Sequence, residues 1–173
     1  MCDKLAMNYT RNRRYASFVR RLLRGRHVTT AKAAASLLIE LASGDAENDL
    51  TNLKLQKILY FAQVESWRRR AQRLFDDPIE AWQYGPVVRD VYQWLKGCGP
   101  YAISYFDVDI DSTSLSDEEA KFLREIWDRY SKYSASYLVR KTHEAGTPWR
   151  VTFDENRDKV IPEDRLKRAP VLR

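Results

Sequence analysis

Between Leu53 and Gln72 the chain reads LKLQKILYFAQVESWRRRAQ, a helical pattern too apolar to be covered on one side only. Leu55, Ile58, Leu59 and Ala62 recur at the spacing of one helix face, and Phe61 and Val64 widen that stripe beyond what a surface helix presents. Gln56, Tyr60, Gln63 and Trp67 make an adjoining amphipathic line. Such a helix has to sit inside other elements, so the rest of the chain is constrained to wrap it. Thr51 or Asn52 is placed to cap its start. Arg68, Arg69, Arg70 and Arg73 fall at its far end, where cations suit the negative pole of the helix dipole and read as solvated charges.

The composition suits a helical wrapper. With 173 residues the chain is about one domain long, and 6 Gly and 6 Pro are too few for a many-turned sandwich or barrel. Five Trp, 10 Tyr and 6 Phe supply large rings for its core. The expected fold is therefore an all-α, mainly helical single domain. Thr29 or Thr30 caps a helix through Ala31–Ala42 that Ser43-Gly44 ends. Gly85-Pro86 opens PVVRDVYQWLK, with Pro86 at the first helical position. A short β-hairpin or extended segment is expected near 101–111. Ser116 with Glu119 forms a capping box for a helix that buries Phe122, Leu123, Ile126, Trp127 and Tyr130. Ser134 starts a shorter helix, Thr147-Pro148-Trp149 reads as an extended corner, and IPEDRLKR as a last helical turn.

The net charge of +6 is unevenly placed. Residues 1–27 hold eight bases against Asp3, a net of +7, while the remainder carries 22 bases and 23 acids. The chain thus divides into a basic extension, 1–27, and a nearly neutral body, 28–173. Within the extension Tyr15, Phe18, Val19, Leu22 and Leu23 form the stripe of an amphipathic helix. Arg13, Arg14, Arg20, Arg21 and Arg24 are its candidate nucleic-acid contacts. Four readings stay open: a helix docked on the body or a solvated arm, which ranks first, a nucleic-acid contact, a partner-binding helix and a membrane-surface helix. Binding of nucleic acid through this arm is expected to be weak and steeply salt-dependent, because Arg–phosphate contacts release counterions. No stretch approaches the roughly 18–20 apolar residues of a membrane span, so no membrane partner is expected. Lys32 and Glu40 interrupt the apolar run after His27, which disqualifies it as a cleaved leader. Cys2 and Cys98 lack CxxC spacing, which suits a reducing, cytoplasmic setting.

A search for chemistry finds little. Two histidines, His27 and His143, cannot build a multi-histidine metal site, and neither GxxxxGK[ST] nor GxGxxG occurs. Cys98 with His143 has no surrounding signature of a nucleophile and its base. Asp107, Asp109, Asp111 and Glu118 fall at calcium-loop spacings, but the position that needs glycine is Ser112. The expectation is a binding protein, not an enzyme, with no metal and no cofactor.

One set of motifs goes further. KLQKILYF (Lys54–Phe61), IEAWQYGPVV (Ile79–Val88), a Ser-Ala…Leu helix, Thr142-His143 and Pro148-Trp149 together resemble the Panacea domain in order and spacing, from about Thr30 to Ile161. This is the phage-associated, antitoxin-like family that includes the SocA type of antitoxin and proteolytic adaptor. The resemblance implies a mostly helical domain that binds and neutralises a cognate protein toxin encoded beside it. Some members deliver their partner to a cellular protease. The alternatives kept beside the antitoxin reading are that adaptor role and a nucleic-acid-binding regulator working through the arginine arm. No catalytic residues come with the resemblance.

Within the shared motifs, Leu55, Ile58, Leu59, Phe61 and Trp149 read as core. Lys57 and Glu80 are ionisable groups amid apolar neighbours, and a Lys57–Glu80 pair is expected to tie the central helix to the GPV segment. Trp82, Tyr84, Gly85 and Pro86 make a rigid aromatic corner, with Gly85 expected at positive φ, and are the toxin-interface candidates.

Overall fold

The computed structural model describes residues 29–45, 47–112, 114–156 and 159–172. Among them, seven α-helices and one two-stranded sheet follow in order: α1 (Ala31–Ser43), α2 (Asn52–Arg70), β1 (Glu80–Trp82), β2 (Gly85–Val87), α3 (Arg89–Trp94), α4 (Asp117–Tyr130), α5 (Ala135–Thr142), α6 (Pro148–Glu155) and α7 (Glu163–Lys167). The mainly helical domain expected from the sequence is the one that forms. The expectations for residues 1–27, with the arginines Arg13, Arg14, Arg20, Arg21 and Arg24, lie outside the described residues.

Each longer helix starts where a short polar side chain relieves an orphan backbone N–H. Thr30 accepts from the Ala33 N–H at 3.1 Å, Thr51 from Lys54 at 3.2 Å, and Ser134 from Tyr137 at 3.2 Å. Ser116 and Glu119 complete a reciprocal capping box at α4. Two expectations shift by local chemistry. Thr147 caps a helix instead of ending an extended corner, because Pro148 has no N–H to lose and fits the first helical position. Pro86, by contrast, lies in β2, and α3 begins only at Arg89 after Val88 stays extended. The short hairpin is the β1–β2 pair, not the 101–111 segment. That segment contributes one antiparallel bridge, Ala102 to Thr51, and a 3-10 turn over Tyr105–Asp107.

The helix that could not be covered on one side is the centre of the molecule: α1, α3, α4, α5, α7 and β2 all pack on α2. Leu55, Ile58, Leu59 and Ala62 are fully buried in it, and Phe61 stacks on Tyr130 of α4 with ring centroids 5.0 Å apart. Burial extends to its polar residues, which therefore need partners. Lys54 donates to the Asp49 carboxylate at 2.5 Å and the Ser131 carbonyl at 2.6 Å. Glu65, buried, accepts from Arg129 at 2.7 Å and from the Tyr130 hydroxyl at 3.1 Å. Three of the four arginines at and beyond the end of α2 meet acids: Arg69 pairs with Glu125, Arg70 with Glu118, and Arg73 with both Asp76 and Glu163.

Gln63 performs the largest task of this kind. Its Oε1 accepts from the N–H groups of Leu74 and Phe75 at 2.9 and 3.2 Å, and its Nε2 donates to the Phe75 carbonyl at 3.0 Å. The loop it holds leads to Asp77, which accepts from the Ala31 N–H at the start of α1. Replacing Gln63 with Leu keeps the volume and leaves three buried backbone groups unpaired. We expect Gln63→Leu to lose about 2–4 kcal/mol of stability in urea unfolding, several times what an exposed Gln→Leu exchange costs.

Candidate functional site

The hairpin is short because its turn is short. With Glu80 opposite Val87, Ala81 opposite Pro86 and Trp82 opposite Gly85, only Gln83 and Tyr84 form the loop. Gly85 closes it at φ +102°, a conformation that favours glycine. The space confirms the choice: a Cβ on Gly85 would stand 2.6 Å from Lys57 Cε, 3.0 Å from Lys57 Nζ and 3.0 Å from Thr142 Oγ1. The Lys57 side chain thus runs directly beneath the turn.

Both arms of the hairpin are pinned from below. Lys57 Nζ donates to the Pro86 carbonyl at 3.0 Å, and the Trp149 indole donates to the Trp82 carbonyl at 2.9 Å. Gln56 holds the next residue, accepting from the Val88 N–H at 2.9 Å. Trp149 is itself clamped between His143, stacked on it at 3.7 Å, and Phe153 at 4.8 Å. The outer edge of β1 is covered by residues 159–161, through Ala81 N–H to the Lys159 carbonyl and Ile161 N–H to the Ile79 carbonyl. On β2, Pro86 has no N–H and its carbonyl is taken by Lys57. The hairpin therefore presents side chains to a visitor and offers no free edge for strand addition.

Those side chains border a groove of about 710 Å³. Leu53 of α2, Trp82, Tyr84 and Val87 of the hairpin, Tyr92 of α3 and Phe153 of α6 form its apolar walls, and Lys96 also lines it. Tyr84, at the hairpin tip, is 69% exposed. Trp82 is half-buried. Its ring meets Tyr92 edge-on at 5.0 Å, its indole N–H donates to Glu80 at 2.7 Å, and the Arg89 guanidinium lies over it at 5.4 Å. The four aromatic-corner residues named from sequence thus fall in one turn. Trp82 and Tyr84 face the groove, and Gly85 and Pro86 shape the backbone that carries them.

Lys57 and Glu80 are both buried, but they do not pair with one another. Antiparallel register sets Val87 opposite Glu80, and Arg89, two residues on, reaches the carboxylate with a fork of bonds at 3.0 and 2.8 Å. Burial alone would raise the Glu80 carboxyl. The hydrogen bonds from Arg89 and Trp82 and the Arg89 charge outweigh it and hold the group below the ordinary carboxylate value. Lys57 gains no carboxylate, and desolvation brings it down from 10.5 to about 7. His143 is likewise lowered, first by burial and then by the charges of Lys57 and Arg150. Its Nε2 is buried with no hydrogen-bond partner among the described residues. Arg89, Tyr92 and Phe153 were not singled out from the sequence. Arg89 was within reach of a sequence argument, since two-residue alternation from Val87 puts it beside Glu80 once the hairpin is drawn. Tyr92 and Phe153 join the groove only through the packing of α3 and α6.

Two comparisons bear on this region. The family profile described as Antitoxin SocA-like, Panacea domain, matches residues 55–150, which hold most of α2, the hairpin and the Trp149 anchor. A protein of Caulobacter vibrioides (strain NA1000 / CB15N) named Antitoxin SocA is 32% identical over 130 residues, covering 70% of this chain and 69% of its own length. No solved structure matches the chain. No helix among the described residues is long and apolar enough to cross a membrane.

Two measurements test the geometry under the turn. Gly85→Ala adds both backbone strain at φ +102° and a clash with Lys57, and we expect a loss of about 2 kcal/mol or more in thermal or urea unfolding. The second concerns Lys57, whose folded value is depressed to about 7 while the unfolded chain titrates near 10.5. Between those values the unfolded state binds the extra proton, so stability rises with pH, by up to about 1.4 kcal/mol per unit for a single site. Unfolding curves collected from pH 7 to 9.5 should show this rise in the native chain, and Lys57→Met should remove the slope.

Proposed function

From the premise that this chain belongs to the SocA-like antitoxin family bearing the Panacea domain, we propose that it is an antitoxin that neutralises a protein toxin by direct binding, with the Gln83–Tyr84 turn and its groove as the contact surface. One observation carries the choice of surface: an exposed tyrosine on a stiff turn, itself within the matched region, stands over an apolar groove. A large ring on a fixed backbone loses little conformational freedom on docking, which is how few residues come to supply most of an interface's affinity. The groove walls come from α2, the hairpin, α3 and α6, so the partner reads a surface that exists only in the folded domain. The hairpin's occupied edges direct the partner to side-chain contacts in place of strand pairing.

Co-expression tests the reading. The product of a neighbouring reading frame that arrests growth alone should be relieved by this chain and co-purify with it. If no neighbouring product is toxic, or toxicity persists in its presence, the antitoxin reading fails. The surface is tested separately by two substitutions. Tyr84→Ala removes an exposed ring, so the melting temperature should move little while the complex weakens by about 2 kcal/mol, roughly thirtyfold. Trp82→Ala also breaks the Glu80 bond and the Tyr92 contact and should cost about 3 kcal/mol of stability as well as affinity. Unchanged toxin binding by folded Tyr84→Ala would move the interface elsewhere.

A further inference from the structure

A fully buried lysine with no carboxylate partner is costly, and this one touches the turn that carries the proposed contact surface. Among the described residues Lys57 Nζ has one acceptor, the Pro86 carbonyl at 3.0 Å, and its Cε and Nζ fill the space a Gly85 side chain would need. The groups around it offer no countercharge. From β2 it meets the Pro86 carbonyl. Thr142 of α5 borders the same space beside Gly85, and its hydroxyl donates to the Val139 carbonyl. His143 at the end of α5 and Arg150 of α6 add only positive or neutral groups. Glu80 of β1, the nearest acid in the hairpin, is occupied by Arg89 and Trp82.

An uncharged amine suits this site, since one acceptor for one donated hydrogen leaves little unsatisfied. An ammonium brings three donors and a full charge into the same space. It can be solvated only by admitting water or by shifting what lies above it, which is Gly85 and Pro86. The backbone so displaced carries Tyr84 on one side and Val87 on the other, both walls of the groove.

We propose that Lys57 is the positioning residue of the contact surface and couples it to proton concentration: the uncharged amine holds the turn in its docking form, protonation releases it, and toxin binding expels the proton. This rests on the antitoxin reading for the identity of the partner but not for the behaviour of the turn. The window is set by Lys57 at about 7 in the free domain. His143 is likewise held below its ordinary value, first by burial and then by the Lys57 and Arg150 charges. If only the uncharged form docks, the apparent affinity follows its population and rises roughly fourfold from pH 6.5 to 8.

The first test needs no partner. In the full chain carrying 13C-labelled lysine, NMR should show the Lys57 Cε signal titrating near pH 7. The indole N–H of Trp149, which is bonded to the Trp82 carbonyl, should shift with the same midpoint. A Lys57 midpoint near 10, or an indole signal unchanged from pH 6.5 to 8.5, overturns the proposal. The second test uses the toxin identified by co-expression. Bound to it, Lys57 should stay uncharged to a lower pH than in the free chain. The affinity of the native chain should rise fourfold over the window, while that of Lys57→Met stays level apart from any trend due to the toxin's own groups. Parallel profiles for the two chains, or no change in the Lys57 midpoint on binding, overturn the coupling and leave the antitoxin reading standing. Failure of the native chain to relieve toxicity sinks that reading alone. Should Lys57→Met not fold, the two midpoints measured in the native chain decide the matter.

Discussion

Everything in this domain is arranged around the burial of α2 from Lys54 to Ser66. Over that stretch the polar side chains are shut off from water and depend on groups in the elements that enclose them. Lys54 takes the carbonyl after α4, Gln56 the Val88 N–H, Lys57 the Pro86 carbonyl, and Gln63 both sides of the loop before the hairpin. Hydrophobic contact brings the surrounding elements to α2. The polar side chains decide which backbone atom of each element ends against it, and so they set the paths of the irregular segments, where helix periodicity has no say.

The aromatic corner follows from that arrangement. A two-residue loop between three-residue strands has too little internal bonding to persist alone. Its shape comes from below, through Lys57 under Gly85 and Pro86 and through Trp149 under Trp82. The stack of His143, Trp149 and Phe153 anchors the second of these to α6. Because the support is buried and the tip is exposed, mutations at the tip and mutations beneath it have different signatures. On the proposed reading, loss of Tyr84 would act on binding, while changes at Gly85 or Trp149 would act through the fold.

The same burial that gives the corner its stiffness leaves a titratable group in an exposed position in the energetic sense. Lys57 carries no countercharge because the acid that sequence proximity suggested, Glu80, has a better partner. Arg89 offers a planar fork to both carboxylate oxygens from a partly solvated position and keeps the charge fully compensated. With Glu80 satisfied, Lys57 is left to a single carbonyl, and its ionisation is balanced near neutrality. A structural support at the ordinary lysine value would ignore physiological pH, whereas one that burial brings down to about 7 is placed where the proposed coupling needs it.

Much of the fold was legible in the chain. The excess apolar width of the Leu53–Gln72 pattern required a central helix, and Thr30, Ser116 and Ser134 each marked a helix start by local hydrogen bonding, whereas the start at Pro148 reads from sequence as an extended corner. The identity of the corner, Trp82 to Pro86, was also legible, since a glycine and a proline in sequence restrict the backbone whatever surrounds them. Three things were not. The helix after the corner begins at Arg89, and the hairpin lies at Glu80–Val87, because Lys57 and Gln56 capture backbone groups that helix or loop would otherwise use. The partner of Glu80 depends on strand register, which sets Arg89 beside it. The groove needs Tyr92 and Phe153 brought together from helices 61 residues apart in the chain. Local sequence determines which bonds each residue can make with its near neighbours; which distant group completes a buried polar side chain is decided only when the elements close around α2, since that is when water ceases to be the alternative.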